Sequence, residues 1–280
     1  HFAAVLLVLL GLALAGTAQA VTPNGRLQIV HLNVAFGDAA VVISPLGEVA
    51  MIDDGPSSLI VPQLQALGIT HVNHHFASHY HSDHIGYFSK VFAEGSVSLD
   101  YGWDRGGSYS TTGYTRYVNL LGDRRRTLTK GQVITLDSLS AHPVTITCVD
   151  LNAAGLPTTD ENALSVVLRV RYGEYDESFG GDVAGFDSGS YVNVESTIGP
   201  EMGPVEVYKL HHHGSATSSG TDWLDATQPQ IGVISVGGST HPTADALDRL
   251  HAAGVRTYRT QTGSGIVDPQ WDTVANGQIV

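Results

Sequence analysis

Ala77-Ser78-His79-Tyr80-His81-Ser82-Asp83-His84-Ile85-Gly86 places three imidazoles and a carboxylate within six positions. That is a metal-ligand density. His79 and His81 stand two apart, so on an extended or tightly turning backbone their rings face the same way. Asp83 and His84 follow where a short turn can aim them at a second point. One strip could therefore serve two ions, through the imidazole nitrogens and carboxylate oxygens that zinc, and less selectively manganese or iron, accept. The alternative is a polar loop whose histidines are merely solvated.

Thr70 to Ala77 reads as the strand that feeds this strip, and His71, His74 and His75 are read as structural parts of it. Ile85 to Phe92 is expected to form the next helix, with Gly86 letting the backbone pass close to the site. Upstream, Leu27 to Leu32, Gly37 to Ser44 and Val49 to Ile52 read as strands. The last two are joined by Pro45-Leu46-Gly47 as an antiparallel hairpin that ends on Asp53-Asp54-Gly55. An acid at the end of a buried strand can orient a ligand from behind or cap the next segment, and Asp53 is read in the first sense. Leu59 to Leu67 has helical spacing and stops at Gly68.

Downstream, Leu99 to Lys130 changes character. Tyr101, Trp103, Tyr109, Tyr114 and Tyr117 stand among Arg105, Arg116, Arg124, Arg125, Arg126 and Lys130, which makes this the net-basic region of an acidic chain. Aromatics interleaved with arginines could stack bases or sugars and neutralise phosphates at a site mouth; the competing reading is a solvated helix, Thr115 to Leu121, with an ordinary loop. Val133 to Leu136 and Val144 to Val149 read as strands. His142 between them is weighed as a further ligand and read as part of a connection, because Pro143 comes directly after it. Asn162 to Tyr172 is a strand, Glu174 to Glu177 a turn, and Ser178 to Asp182 a strand ending on a carboxylate that can offer one oxygen to each of two ions. Gly180 and Gly181 permit close backbone approach. Val205 to Leu210 delivers His211-His212-His213-Gly214-Ser215, and Ile231 to Val236 leads to His241. A helix from about Pro242 to Ala253 is closed by Gly254, and Val255 to Thr260 with Gly265 to Val267 are expected to finish the sheet.

The 280 residues suffice for a buried core, and 42% hydrophobic against 15% charged residues indicates a loop-rich globular protein. A net charge of −13 argues against non-specific adhesion to nucleic acid or anionic membranes. Cys148 is the single cysteine, so no intrachain disulfide and no thiolate metal site can form. Phe2 to Ala15 is almost wholly Ala, Val and Leu and leads to Thr17-Ala18-Gln19-Ala20, which reads as a signal peptide over residues 1–20 cleaved after Ala20. An uncleaved anchor is the alternative. The domain of interest is then 21–280, exported to the periplasm or the medium.

Together these pieces resemble the metallo-β-lactamase-fold hydrolases over about Leu27 to Val267. His79-x-His81-x-Asp83-His84 is similar to that superfamily's main motif, Ile52-Asp53-x-Gly55 to its preceding acidic motif, and Gly181-Asp182 to its bridging aspartate. Val30-His31-Leu32-Asn33-Val34 with Gly37-Asp38-Ala39, then Leu210 to Ser215, Ile234 to Gly237 and His241-Pro242, resemble the ComEC-type branch, which includes the hydrolase domain of the DNA-uptake competence protein. The resemblance implies an α/β fold, a four-layer αββα sandwich with metals at one edge of the paired sheets. It implies that His79, His81 and His212 hold one ion, Asp83 and His84 the other, with Asp182 bridging and His241 reaching the substrate. The register of the histidine triplet stays open, with His212 favoured and His213 close behind. A histidine between the main motif and the bridging aspartate, usual in many members, has no equivalent here. The ion on the His84 side is accordingly expected to be the less completely held.

The expected chemistry is hydrolysis by a water activated between two divalent ions, zinc or alternatively manganese, with Asp53, Asp83 and His241 as the catalytic set. Phosphodiesters are the first substrate class, with a local nucleic-acid contact through 99–130. Carboxylic esters, lactones or amides are the second, and a non-catalytic metal-binding or interaction protein the third.

Overall fold

The computed structural model describes residues 23–95 and 97–280; the signal-peptide reading of residues 1–20 lies outside them. The first half runs β1 (Gln28–His31), β2 (Ala40–Ile43), β3 (Val49–Ile52), α1 (Ile60–Ala66), β4 (His71–Phe76), α2 (Ser82–Ile85), a π-helical turn (Lys90–Glu94), β5 (Ser98–Asp104), α3 (Thr112–Leu121) and β6 (Arg125–Thr127). The second half runs β7 (Val133–Leu136), β8 (Val144–Asp150), β9 (Val167–Tyr172), β10 (Tyr175–Phe179), α4 (Glu195–Met202), β11 (Val207–Lys209), α5 (Thr221–Thr227), β12 (Ile231–Ile234), α6 (Ala244–Ala252), β13 (Arg256–Arg259) and β14 (Asp272–Val274). Strands β1 to β6 form one sheet in sequence order, and β7 to β14 form the other. Each sheet opens with antiparallel neighbours and then turns parallel, at β3–β4 in the first and β10–β11 in the second.

Strand alternation builds the layers. In β2, Val41 packs with Ile60, Leu64 and Tyr117 in the core beneath the first sheet's helices. Its neighbour Val42 points the other way, into a core shared with Leu136, Ile146, Leu168 and Val170 of the second sheet. On the far side, Tyr208 and Ile234 pack against Ile198, Trp223 and Leu247 of α4, α5 and α6. The result is helix, sheet, sheet, helix. Because β4, β11 and β12 run parallel to their neighbours, the loops after their carboxyl ends converge on one edge, where ligands bind in such sheets. Among the described residues no helix is long and apolar enough to cross a membrane.

Several expectations need correction: the strand read from Asn162 begins at Val167, and the one read over Ser178 to Asp182 ends at Phe179. The helix expected over Ile85 to Phe92 starts earlier, at Ser82, and breaks after Ile85. Tyr87 N–H is captured by Gly55 O and Asp54 Oδ1, at 2.8 and 2.9 Å, and the carbonyl of Asp83 accepts from Asp38 N–H instead of continuing the helix. The turn expected over Glu174 to Glu177 is shorter: Gly173, at φ 60°, with Glu174 closes a two-residue hairpin, and Tyr175 already pairs with Tyr172. Gly265 to Val267 is a loop, and the sheet ends instead on β14. The helix read over Thr115 to Leu121 is present as α3 but is not a solvated one, since it buries Tyr117 and Leu121 in the core, and the rest of Leu99 to Lys130 supplies β5 and β6 rather than an ordinary loop.

Candidate metal centre

The strip leaves β4 through a turn whose first residue, Ser78, is fixed by Asp53: its backbone N–H and its hydroxyl each donate to that carboxylate at 2.7 Å. Asp53 itself has a left-handed φ of 57°. Its Oδ2 also lies 2.8 Å from His84 Nδ1, which turns His84 Nε2 toward the cluster. Both Asp53 oxygens are thereby engaged, so Asp53 is a positioning group behind His84 rather than a group facing the reacting atoms. The strip's other anchor is Glu161, which accepts from Tyr80 N–H at 2.9 Å while pairing with buried Arg105.

Asp182 reaches the strip from the loop after β10. Gly181 holds φ 53°, and a Cβ there would lie 2.7 Å from Ser165 Oγ and 2.9 Å from Ser78 Cβ, so the backbone passes where only glycine fits. The two oxygens of Asp182 divide the histidines. Oδ2 is 3.9 Å from His79 Nε2 and 3.8 Å from His212 Nε2. Oδ1 is 3.3 Å from His84 Nε2 and 3.7 Å from His213 Nε2. Asp83 Oδ2 joins the second set, 3.4 Å from His213 Nε2 and 4.0 Å from His84 Nε2, and His81 Nδ1 joins the first, 3.0 Å from His79 Nε2.

The triplet after β11 explains how one short turn serves both sets. His212 and His213 both hold left-handed backbone conformations, at φ 48° and 54°, and their rings sit 6.3 Å apart at 70°. His212 N–H is tied to Gly181 O at 3.1 Å. His213 Nδ1 faces Asp38 Oδ1 at 3.2 Å and Ser235 O at 3.1 Å, which aims Nε2 inward. His213 therefore supplies the His84 side with the imidazole that the sequence left wanting, and that side is the more closely knit: ligand atoms of Asp83, His84, Asp182 and His213 all lie within 4.8 Å of one another. His211 turns away, its Nδ1 2.7 Å from Glu195 Oε1. His142 is exposed on the β7–β8 connection.

His84 Nε2, Asp182 Oδ1 and His213 Nε2 are buried and have no hydrogen-bond partner among the described residues. Unpaired buried groups are costly unless something satisfies them, and three that converge suit a cation. The electrostatics agree. Burial works against charge on His84, yet Asp182 and Asp53 hold its pKa well above the ordinary imidazole value; His213 is likewise pushed up to about 9, against burial, by Asp182 and Asp38. Burial would raise the carboxylates, but His84 and His213 hold Asp182 well below its usual range and bring Asp83 down to about 2. Burial lowers His79 and His212, leaving them neutral and ligand-ready.

Aromatic rings form the rim: Phe36 packs on His213 at 4.6 Å, Tyr191 on His212 at 5.6 Å and Tyr109 on His81 at 5.7 Å. His241 stands half-buried between His212 and His213, at 5.8 and 6.4 Å, with its pKa lowered by burial and by those two imidazoles. Most of the basic residues of 99–130 are engaged by carboxylates or carbonyls of the chain, although Lys130 among them is exposed. Arg105 pairs with Glu161, Arg125 with Asp104 at 2.7 Å, Lys130 with Asp150 and Glu201, and Arg124 donates to the carbonyls of Leu99, Leu120 and Leu121. Arg116 and Arg126 are exposed.

Asp38, Ser78, Glu161 and Glu195 carry positioning roles that sequence reasoning did not assign. Asp38 alone had a visible signal, since it stands beside Gly37 in the branch motif. A Cβ at Gly37 would lie 2.3 Å from Asp83 O, which is why a glycine precedes it.

Fold and cluster together define the chain as a metallo-β-lactamase-fold protein with a His/Asp site able to hold metal. Its solved structural relatives include the metallo-β-lactamase-fold protein YhfI from Bacillus subtilis, at TM-score 0.54 and 12% identity over 84% of this chain and 97% of that one. Igni18, a metallo hydrolase from Ignicoccus hospitalis, matches at TM-score 0.50 and 17% identity over 82% and 95%. CmlA, a diiron β-hydroxylase from Streptomyces venezuelae, matches at TM-score 0.51 and 10% identity over 81% and 50%. In sequence the chain is similar to the competence protein ComA of Neisseria gonorrhoeae, 29% identical over 212 residues, which cover 74% of this chain and 26% of that protein. The chain thus spans about a quarter of that relative's length. No protein-family model matches it.

Proposed function

We propose that this chain is an exported, metal-dependent phosphodiester hydrolase, with residues 1–20 as the export signal and 21–280 as the hydrolase domain. The observation that carries the reading is the division of ligands by Asp182, with one oxygen toward His79 and His212 and the other toward His84 and His213. In this reading His79, His81 and His212 would hold one divalent ion and Asp83, His84 and His213 the other, with Asp182 offering an oxygen to each set. Zinc suits this nitrogen-rich set, with manganese as the alternative. The chemistry supplied by such ions, when bound, would be an acidified water and neutralisation of charge on the scissile group.

The protein's own contribution is positional. Asp53 and Asp38 fix the rings of His84 and His213, so that Nε2 of each faces inward. His241 lies beside both triplet histidines and, with a lowered pKa, is a neutral imidazole that can accept a hydrogen bond from, or donate one to, a substrate. Phe36, Tyr109 and Tyr191 line the rim and can present ring faces and edges to a substrate's flanking groups. Similarity to a competence protein and to the ComEC-type branch supports the phosphodiester class.

One observation favours the second substrate class. The arginines that would neutralise a polyanion are largely spent on internal partners, and the chain carries −13 overall, which suits a small ester, lactone or amide. A nucleic-acid contact through 99–130 would rest on Arg116 and Arg126. Turnover of bis-p-nitrophenyl phosphate and plasmid DNA, measured against an aryl ester, a lactone and a β-lactam with zinc and with manganese, separates the two classes. Identical turnover of every substrate by wild type and His81→Ala would end the enzymatic reading.

A further inference from the structure

We infer that the buried pair Glu195 and His211 is the positioning device that sets the distance between the Asp182 loop and the histidine-triplet turn, and so controls both metal positions at once. The inference rests on the dinuclear reading of the site. Neither residue belongs to the ligand set, yet both side chains are fully buried. Glu195, at the start of α4, is saturated: it accepts from Ser219 N–H at 2.8 Å and Gly220 N–H at 2.6 Å, and its Oε1 lies 2.7 Å from His211 Nδ1. These contacts tie the histidine turn to the loop before α5.

The other edge of the His211 ring meets the Asp182 loop. A Cβ on Gly180 would lie 2.3 Å from His211 Nε2 and 2.7 Å from its Cδ2, so the imidazole fills the space that a side chain at 180 would need. His211 is therefore a spacer between the segment carrying Asp182 and the segment carrying His212 and His213. One direct bond spans the same gap, from His212 N–H to Gly181 O at 3.1 Å. Tyr208 and Trp223 pack on the ring at 4.8 Å each and prevent it from swinging clear. Because His212 and His213 are consecutive and share one turn, any shift of His211 displaces them together. Asp38, by contrast, contacts one histidine of the triplet, His213, through Oδ1, while its Oδ2 accepts from Lys209 Nζ at 2.8 Å.

The test is titration of metal-stripped protein with Zn²⁺ and with Co²⁺, monitored by calorimetry and by the Co²⁺ visible spectrum, for wild type, Glu195→Gln, Gly180→Ala and Asp38→Asn. Gly180→Ala pushes His211 from the opposite side and leaves the Glu195 carboxylate and its bonds to Ser219 and Gly220 unaltered, so it tests the spacer role even where Glu195→Gln fails to fold. Wild type is expected to take up two ions. Glu195→Gln and Gly180→Ala are expected to weaken both binding steps, by about 10- to 100-fold, the usual cost of losing a group that orients ligands. Asp38→Asn is expected to weaken one step only. A folded Gly180→Ala protein with both steps within twofold of wild type, or with loss confined to one step, would overturn the inference. A wild type that takes up no metal would overturn the reading of the site, and this inference with it.

Discussion

Asp53 Oδ2 lies 2.8 Å from His84 Nδ1, with both side chains buried. The carboxylate is held in turn by the backbone N–H and hydroxyl of Ser78, so one acid couples the start of the histidine strip to its end. Asp53→Asn keeps the shape and removes the charge. Metal affinity should fall about 10- to 100-fold on the His84 side, with turnover falling alongside, and the melting temperature of the loaded protein should drop by a few degrees because weaker binding stabilises the folded state less. Unchanged affinity in a metal titration would refute this role.

The pKa shifts give metal binding a pH dependence of definite sign. Against burial, their carboxylate neighbours keep His84 and His213 protonated at neutral pH, the latter up to about 9. Binding must displace those protons, so affinity should rise with pH between 7 and 9, and calorimetry in buffers of different ionisation enthalpy should report about two protons released per chain at pH 7. Folding of the metal-free protein takes the opposite course. Histidines whose pKa is raised by folding stabilise it fully below about 6.5, their ordinary value, and this stabilisation is lost as pH climbs toward 9. A metal-free melting temperature that rises over that interval would contradict the assignment.

Glu161 should matter more to folding than its place outside the cluster suggests. It is nearly buried, pairs with Arg105 at 2.5 Å and accepts from Tyr80 N–H within the strip. Glu161→Ala leaves a buried guanidinium unpaired, at a cost of about 3–5 kcal/mol. For a domain of this size the melting temperature should drop by roughly 10 °C, which differential scanning calorimetry would detect; a drop within 2 °C, on the order of a surface substitution's effect, would count against the pair.

Arg116 and Arg126 are the residues through which region 99–130 can be tested for nucleic-acid contact without unfolding it. Arg125 is bound to Asp104 and Arg124 to three carbonyls, so neutralising 124 to 126 together would damage β5 and α3. The double variant Arg116→Glu, Arg126→Glu should weaken single-stranded DNA binding several-fold and flatten its salt dependence. Equal binding and equal salt dependence would rule out a nucleic-acid contact through this region.

The ligands were legible because each announces itself at the end of an apolar run: the strip after β4, Asp182 after two glycines, the triplet after β11. The partition of the triplet was not, since it depends on two consecutive left-handed residues that no histidine pattern announces. The burial of Tyr117 and Leu121 is not legible in the sequence, because a Tyr/Arg-rich composition hides the helical stripe that α3 buries. The arginines misled for a related reason: Asp104 and Glu161, which neutralise Arg125 and Arg105, lie 21 and 56 residues away from their partners in the chain. The break in the helix after Ile85 likewise depends on Asp38 and Gly55, partners reached only through tertiary folding.

In the proposed dinuclear site Asp182 divides two ligand sets, one completed by His212 and the other by His213. This division is tested by metal content, read by mass spectrometry, of folded wild type, His212→Ala, His213→Ala and Asp182→Ala after dialysis against limiting zinc. Two ions are expected in the wild type, one in each histidine variant, and a loss from both positions in Asp182→Ala. A wild type holding a single ion, or histidine variants that each keep two, would contradict the division.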